Sequence, residues 1–166
     1  MTRADRMAEG PASLFAYGTL RFAALLGILL DRMPVTTPGA VAGWRAAALA
    51  GRVYPGLVRA NAEVTGMLIT GLTAAELRLI DEYESGPYEL ELLTLNDGRR
   101  GWTYAWTDHA EVLPHDWSPD EFADLYLADF ADNCRVWREG YEAAGRSGRG
   151  IQRPHDPGPD SDDRSR

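Results

Sequence analysis

The stretch Ser13 to Leu20, SLFAYGTL, restricts the possible folds more than any other part of the chain. Ser13 to Tyr17 has the length and aromatic content of a buried strand, and Gly18 follows where the backbone must turn and can approach a ligand closely. Phe22 to Leu30 is almost wholly apolar and reads as a short core helix returning from that turn. A strand, a glycine turn and a helix start leave several backbone N–H groups facing one concavity, which can hold a carboxylate or phosphate without a dedicated cation. An ordinary buried strand with a glycine turn writes the same pattern, so the rest of the chain has to decide.

Composition removes several kinds of chemistry. All 17 basic residues are arginine, and without lysine there is no P-loop phosphate site, Schiff-base mechanism or lysine-held pyridoxal phosphate. Cys134, the single cysteine, excludes an internal disulfide and any multi-cysteine metal site, and on a helix it reads as core. The net charge is -8, and residues 11–145 hold 10 Arg against 19 acids, or -9. That field disfavours nucleic acid and suits a cationic small molecule. Phe22 to Leu30 is too short to span a bilayer, is bounded by Arg21 and Asp31, and follows no signal-peptide layout. The expectation is a cytoplasmic protein that engages neither nucleic acid nor membrane. The length of 166 residues suits one domain, over 11–145, between a flexible N-terminus at 1–10 and a disordered Gly, Arg, Pro and Asp tail at 146–166.

Within that domain Pro34 and the Thr36 to Gly39 cluster predict a loop, and Val41 to Leu49 a strand. Arg52 to Val58, RVYPGLV, is broken by Pro55 and Gly56, so it is expected at a sheet edge or lining a cavity. Glu63 to Thr70 resumes a strand. Thr73-Ala-Ala-Glu76 is a capping box for a helix from Ala74 to about Glu84, which Gly86-Pro87 stops. Tyr88 to Leu95, the turn Asn96-Asp97-Gly98, and Gly101 to Trp106 predict a hairpin. His109 to Trp117 reads as a loop. Ser118-Pro-Asp-Glu121 opens the longest helix, with Phe122, Tyr126, Phe130, Cys134, Trp137 and Tyr141 in one apolar stripe.

Helical phase separates the acids of IDEYES. With Leu77 at zero and about 100° per residue, Ile80 falls near 300°, Glu84 near 340° and Glu82 near 140°. Glu84 therefore shares the face of Leu77 and Ile80, while Glu82 points away. A partly desolvated carboxylate there has its pKa raised toward the range useful for proton transfer; a frayed helix end reaching solvent does not. Both readings of Glu84 stand at this stage. His109, His115 and Asp116 lack the regular spacing of a zinc site and read as solvated loop residues. Trp102, Tyr104 and Trp106 alternate onto one strand face, as core packing requires.

YGTL at 17–20, YPGLV at 54–58, the V-x-G pattern at Val64 to Gly66, and LIDEYES followed by Tyr88 occur in the order and spacing of the gamma-glutamylcyclotransferase-like, or AIG2-like, family, which the chain resembles over roughly residues 13–106. The family pattern reads Leu-Asp-x-x-Glu-Gly and then Tyr-x-Arg, whereas this chain has Ser85 for the glycine and Leu90 for the arginine. The resemblance implies an α+β fold, a compact barrel-like mixed sheet with flanking helices around a cavity. It also implies an enzyme that cyclises a gamma-glutamyl amine or peptide into 5-oxoproline and free amine, with no cofactor and no metal. Glu84 matches the family's catalytic glutamate; Tyr17, Gly18, Thr19 and Leu20 would hold the substrate's α-carboxylate, and Tyr54 and Tyr88 would wall the pocket. The altered positions leave substrate choice open and keep an alternative in view, a non-catalytic small-ligand-binding or interaction module on the same fold.

Overall fold

The computed structural model describes residues 1–84 and 86–147. Its elements are α1 (Arg3–Glu9), β1 (Leu14–Ala16), a 3₁₀ turn (Thr19–Arg21), α2 (Ala23–Leu30), β2 (Val35–Leu49), β3 (Gly56–Thr70), α3 (Ala74–Tyr83), β4 (Tyr88–Thr94), β5 (Arg100–Trp106), a second 3₁₀ turn (His109–Glu111), β6 (Val112–Asp116), α4 (Pro119–Leu125) and α5 (Leu127–Ser147). The fold is mixed α+β, a curled six-stranded sheet forming a half-barrel flanked by five helices, with strand order β4-β5-β1-β3-β2-β6.

A long hairpin produces the curl. β2 and β3 pair from Val35↔Thr70 to Ala47↔Gly56, and the register slips between Ala42 and Trp44, where Gly43 takes φ +89°. Such a bulge bends the strand and tightens its twist. The two halves of β3 consequently meet different neighbours. Met67 to Ile69 pairs antiparallel with β1, while Leu57 at the other end pairs parallel with Ala105 of β5. β5 lies along β1 at Trp102 and along β3 at Ala105, so its neighbour changes between those residues. β1 is only three residues long, and this change of neighbour opens a seam in the sheet.

Close approach explains one glycine of the sequence motifs. A Cβ at Gly66 would collide with the carbonyl oxygen of Ala16, so only glycine lets β3 lie against β1 there. Helices α2, α3 and α5 cover one side of the sheet through Leu25, Leu29, Leu77, Ile80, Phe130 and Trp137, which share one buried cluster. A second cluster, including Phe15, Val41, Leu57, Val64 and Leu68, fills the inside of the curl.

Several local expectations change. Residues 1–10, expected to be flexible, contain α1, whose start is a capping box of Thr2 and Asp5 and whose Met7 is fully buried. The polar majority of those residues faces water and hid the two that are buried, Ala4 and Met7. No loop separates Pro34 from Gly39, because β2 begins at Val35 and Pro38 sits where β2 is paired only with β3, a position that asks no second hydrogen bond of its nitrogen. Gly56 to Val58 belongs to β3 rather than to an isolated edge piece. His109 to Trp117 holds a 3₁₀ turn and β6, which pairs with the end of β2. The long C-terminal helix breaks at Tyr126, at φ -127°, into α4 and α5. The tail expected over 146–166 lies outside the described residues beyond 147, as does Ser85.

Candidate active site

The seam carries a small cavity of about 30 Å³ that opens to solvent. One wall is the end of β1 and the turn after it, Leu14 to Leu20; the opposite wall is Tyr54 and Pro55, which lead into β3. The floor is Thr103 and Tyr104 of β5, and Tyr83, Glu84, Tyr88 and Phe130 complete it from α3, β4 and α5. All seven residues singled out from the sequence, Tyr17, Gly18, Thr19, Leu20, Tyr54, Glu84 and Tyr88, line this one cavity.

Gly18 lies close against the facing wall. Its φ is -108°, and a Cβ there would lie 3.1 Å from Cγ of Pro55 on the facing wall. The first hydrogen bonds of the turn run from Arg21 N–H to Gly18 O and from Phe22 N–H to Thr19 O. The amides of Gly18, Thr19 and Leu20 precede that bonded turn, the position from which helix starts present donors to a ligand.

Glu84 caps the C-terminus of α3, its amide bonded to Ile80 O at 2.9 Å. The phase expected from the sequence holds: Glu84 is half-buried against the cavity, whereas Glu82 is exposed. Among the described residues lining the cavity Glu84 alone carries a charge. Its negative charge reaches the hydroxyls around it. Burial first, and Glu84 second, push the Tyr17 and Tyr88 phenols well above their ordinary pKa. Burial does the same for Tyr104, helped by Asp81 and then Glu84, and for Tyr83, helped by Cys134 and then Glu84. The Cys134 thiol, 3.6 Å from the Tyr83 hydroxyl, is pushed up to about 11, mainly by burial. Every one of these groups is therefore a proton-bearing donor at neutral pH, and none competes with Glu84 as a base.

The walls are fixed from behind. The Tyr17 hydroxyl donates to Tyr104 O at 2.6 Å. Arg52 donates to the Tyr54 hydroxyl, pairs with Glu111 at 2.8 Å and lies over the Trp106 ring at 5.3 Å. Tyr88 meets Trp106 edge-on at 5.2 Å. Away from the cavity, Asp116 is paired with Arg45 at 3.0 Å.

Pro55, Tyr83, Thr103, Tyr104 and Phe130 line the cavity without having been singled out from the sequence. Tyr104 and Phe130 sit on apolar faces that periodicity assigns to packing, and both in fact pack in the main core as well. The signal available for Tyr104 was its hydroxyl, since a phenol inside an aromatic strand face needs a polar partner.

The sequence profile described as gamma-glutamyl cyclotransferase, AIG2-like, matches residues 14–119. This chain belongs to that family. The AIG2-like protein D of Arabidopsis thaliana is 31% identical over 135 residues, covering 76% of this chain and 89% of the relative. AIG2-like protein C of the same plant is 29% identical over 142 residues, covering 80% and 83%. A solution structure of an Arabidopsis thaliana protein superposes with a TM-score of 0.57 at 25% identity, covering 81% of this chain and 86% of that one. The AIG2-like match spans β1 through the start of α4, and so takes in every lining residue except Phe130. Among the described residues no helix is long and apolar enough to cross a membrane.

Proposed function

We propose that this protein is a cyclising acyl-transfer enzyme that converts a gamma-glutamyl amine or peptide into 5-oxoproline and free amine, with Glu84 as general acid and base. One observation carries the reading: a single half-buried carboxylate shares a cavity with the main-chain donors of the Gly18 to Leu20 turn. Glu84 takes a proton from the substrate's α-ammonium, and the freed amine attacks the γ-carbonyl carbon, forming the ring C–N bond and moving the carbonyl electrons onto oxygen. Amides of the turn hold the α-carboxylate and steady that oxyanion. Glu84 gives its proton to the leaving nitrogen as the old C–N bond breaks; the ring nitrogen's surplus proton then follows to the released amine. Both partners are in one molecule, so the cavity contributes mainly by holding amine and carbonyl in register. Tyr17, Tyr54 and Tyr88 wall the reacting group, and no cofactor enters the scheme.

Leu90 supports a second reading. It is buried where the family pattern places an arginine, so that position offers no guanidinium and suits a module that binds a small ligand without turnover. Release of 5-oxoproline from a panel of gamma-glutamyl amines, dipeptides and aminoglycosides separates the two. Glu84→Gln abolishes release with folding intact and Glu82→Gln leaves it unchanged if Glu84 is the base; equal loss in both refutes that role. No release from any member of the panel leaves the binding module.

A further inference from the structure

The family match begins at residue 14, yet the helix before it reaches the back of the site. Arg3 of α1 places Nε 2.9 Å from Asp81 Oδ1 and donates to Asp81 O at 3.4 Å and to Tyr88 O at 3.3 Å. Its guanidinium lies over the Tyr104 ring, 5.3 Å from the centroid. Asp81 Oδ1 in turn accepts the Tyr104 hydroxyl at 3.1 Å, and Sδ of the buried Met7 lies 3.4 Å from the same hydroxyl. One side chain thus ties α3 just before Glu84, β4 at Tyr88, and β5 at Tyr104, the three elements that bring those lining residues to the cavity.

We propose that α1 is a working part of the site and that Arg3 is a positioning residue, holding the Glu84, Tyr88 and Tyr104 walls in mutual register through Asp81. Arg3 does not line the cavity and touches no substrate. A guanidinium is suited to this task, because its planar fork serves several acceptors at once while its face packs on a ring, and an ammonium cannot do both. The inference rests on the cyclotransferase reading only for its kinetic consequence.

The test uses the full chain carrying Arg3→Ala, Arg3→Lys, Asp81→Asn and the double Arg3→Ala/Asp81→Asn, each assayed well below its own unfolding temperature. Hydrogen exchange comes first, since it needs no activity. Arg3→Ala raises exchange in residues 81–84, 88–92 and 102–106 and leaves the β2–β3 hairpin as it was; exchange unchanged in those segments, or raised everywhere, overturns the proposal. If the parent chain releases 5-oxoproline, Arg3→Ala lowers kcat about tenfold with little change in KM, consistent with misalignment of the reacting groups. Arg3→Lys restores only part of the loss, and the double variant is no worse than either single one, as expected of residues acting as a unit. Parent-like kcat in Arg3→Ala, or additive losses, overturns the proposal while leaving the activity in place. A parent chain without release removes the cyclotransferase reading and leaves hydrogen exchange to decide.

Discussion

The Tyr17 hydroxyl donates to the main-chain carbonyl of Tyr104 at 2.6 Å. It thereby ties the turn after β1 to β5 at the place where β1 has ended. A side chain performs there what a strand performs elsewhere in the sheet. Tyr17→Phe keeps the ring and removes that bond, leaving a buried carbonyl short of a partner, so it costs about 1–3 kcal/mol. Chemical denaturation of the two proteins measures it, and a cost under about 0.5 kcal/mol contradicts the role.

Tyr17, Tyr83, Tyr88 and Tyr104 all hold their protons more tightly in the folded state than in the unfolded chain. Above about pH 10 the unfolded chain releases those protons and the folded one keeps them, so stability is full below that pH and falls as pH rises, by up to about 1.4 kcal/mol per pH unit for each tyrosine. The signal of these four phenolates should rise together with the loss of circular dichroism, in one cooperative alkaline transition. Gradual ionisation with the fold intact contradicts this.

Gly66→Ala forces a Cβ onto the Ala16 carbonyl oxygen, a backbone atom that cannot swing aside. The expected cost exceeds about 2 kcal/mol. Gly43→Ala meets no atom within 4 Å and costs only its positive φ of +89°, about 1–2 kcal/mol. Denaturant midpoints for the pair should fall in that order.

Arg52 combines an ion pair to Glu111 with packing on Trp106 and Tyr54. Glu111→Gln removes only a solvent-screened attraction and changes stability by less than about 1 kcal/mol. Arg52→Ala also removes the donor to the Tyr54 hydroxyl and the cover over two rings, so it costs more and loosens one wall of the cavity. Unfolding curves rank the two variants, and the reverse order refutes the packing role.

Under the proposed activity, the charge of -9 over residues 11–145 should favour a polycationic leaving amine such as a gamma-glutamyl aminoglycoside or polyamine conjugate. For such a substrate kcat/KM drops steeply between low and high salt, while a neutral leaving amine gives a flat profile. A flat response for both means that the field plays no part.

What the sequence made legible was local and periodic. The Thr73 and Ser118 caps, the Asn96 turn and the apolar phase of α3 are each written within a few residues, and the phase put Glu84 on the face of Leu77 and Ile80 while leaving open whether it reached solvent. Family resemblance, carried by four short motifs in register, supplied the cavity's two long walls. Missing were features created by distant chain segments. Pro38 looked like a loop residue because its tolerance depends on which edge of β2 lacks a partner, and Tyr104 looked like plain core because its acceptor, Asp81, comes from a helix well before it in the sequence. The role of α1 was hidden for the same reason: its buried face is only Ala4 and Met7, too short a pattern to stand out among polar residues.

The three-residue length of β1 has a consequence for how this architecture varies. Two further residues of extended chain after Ala16 would zip β5 onto β1 with ordinary ladder bonds, and no hollow would remain. The cavity thus lies where that strand stops, and segments at residues 54, 84 and 104 line it together. Lengthening or trimming β1 should make or erase the cavity without disturbing the hairpin that curls the sheet.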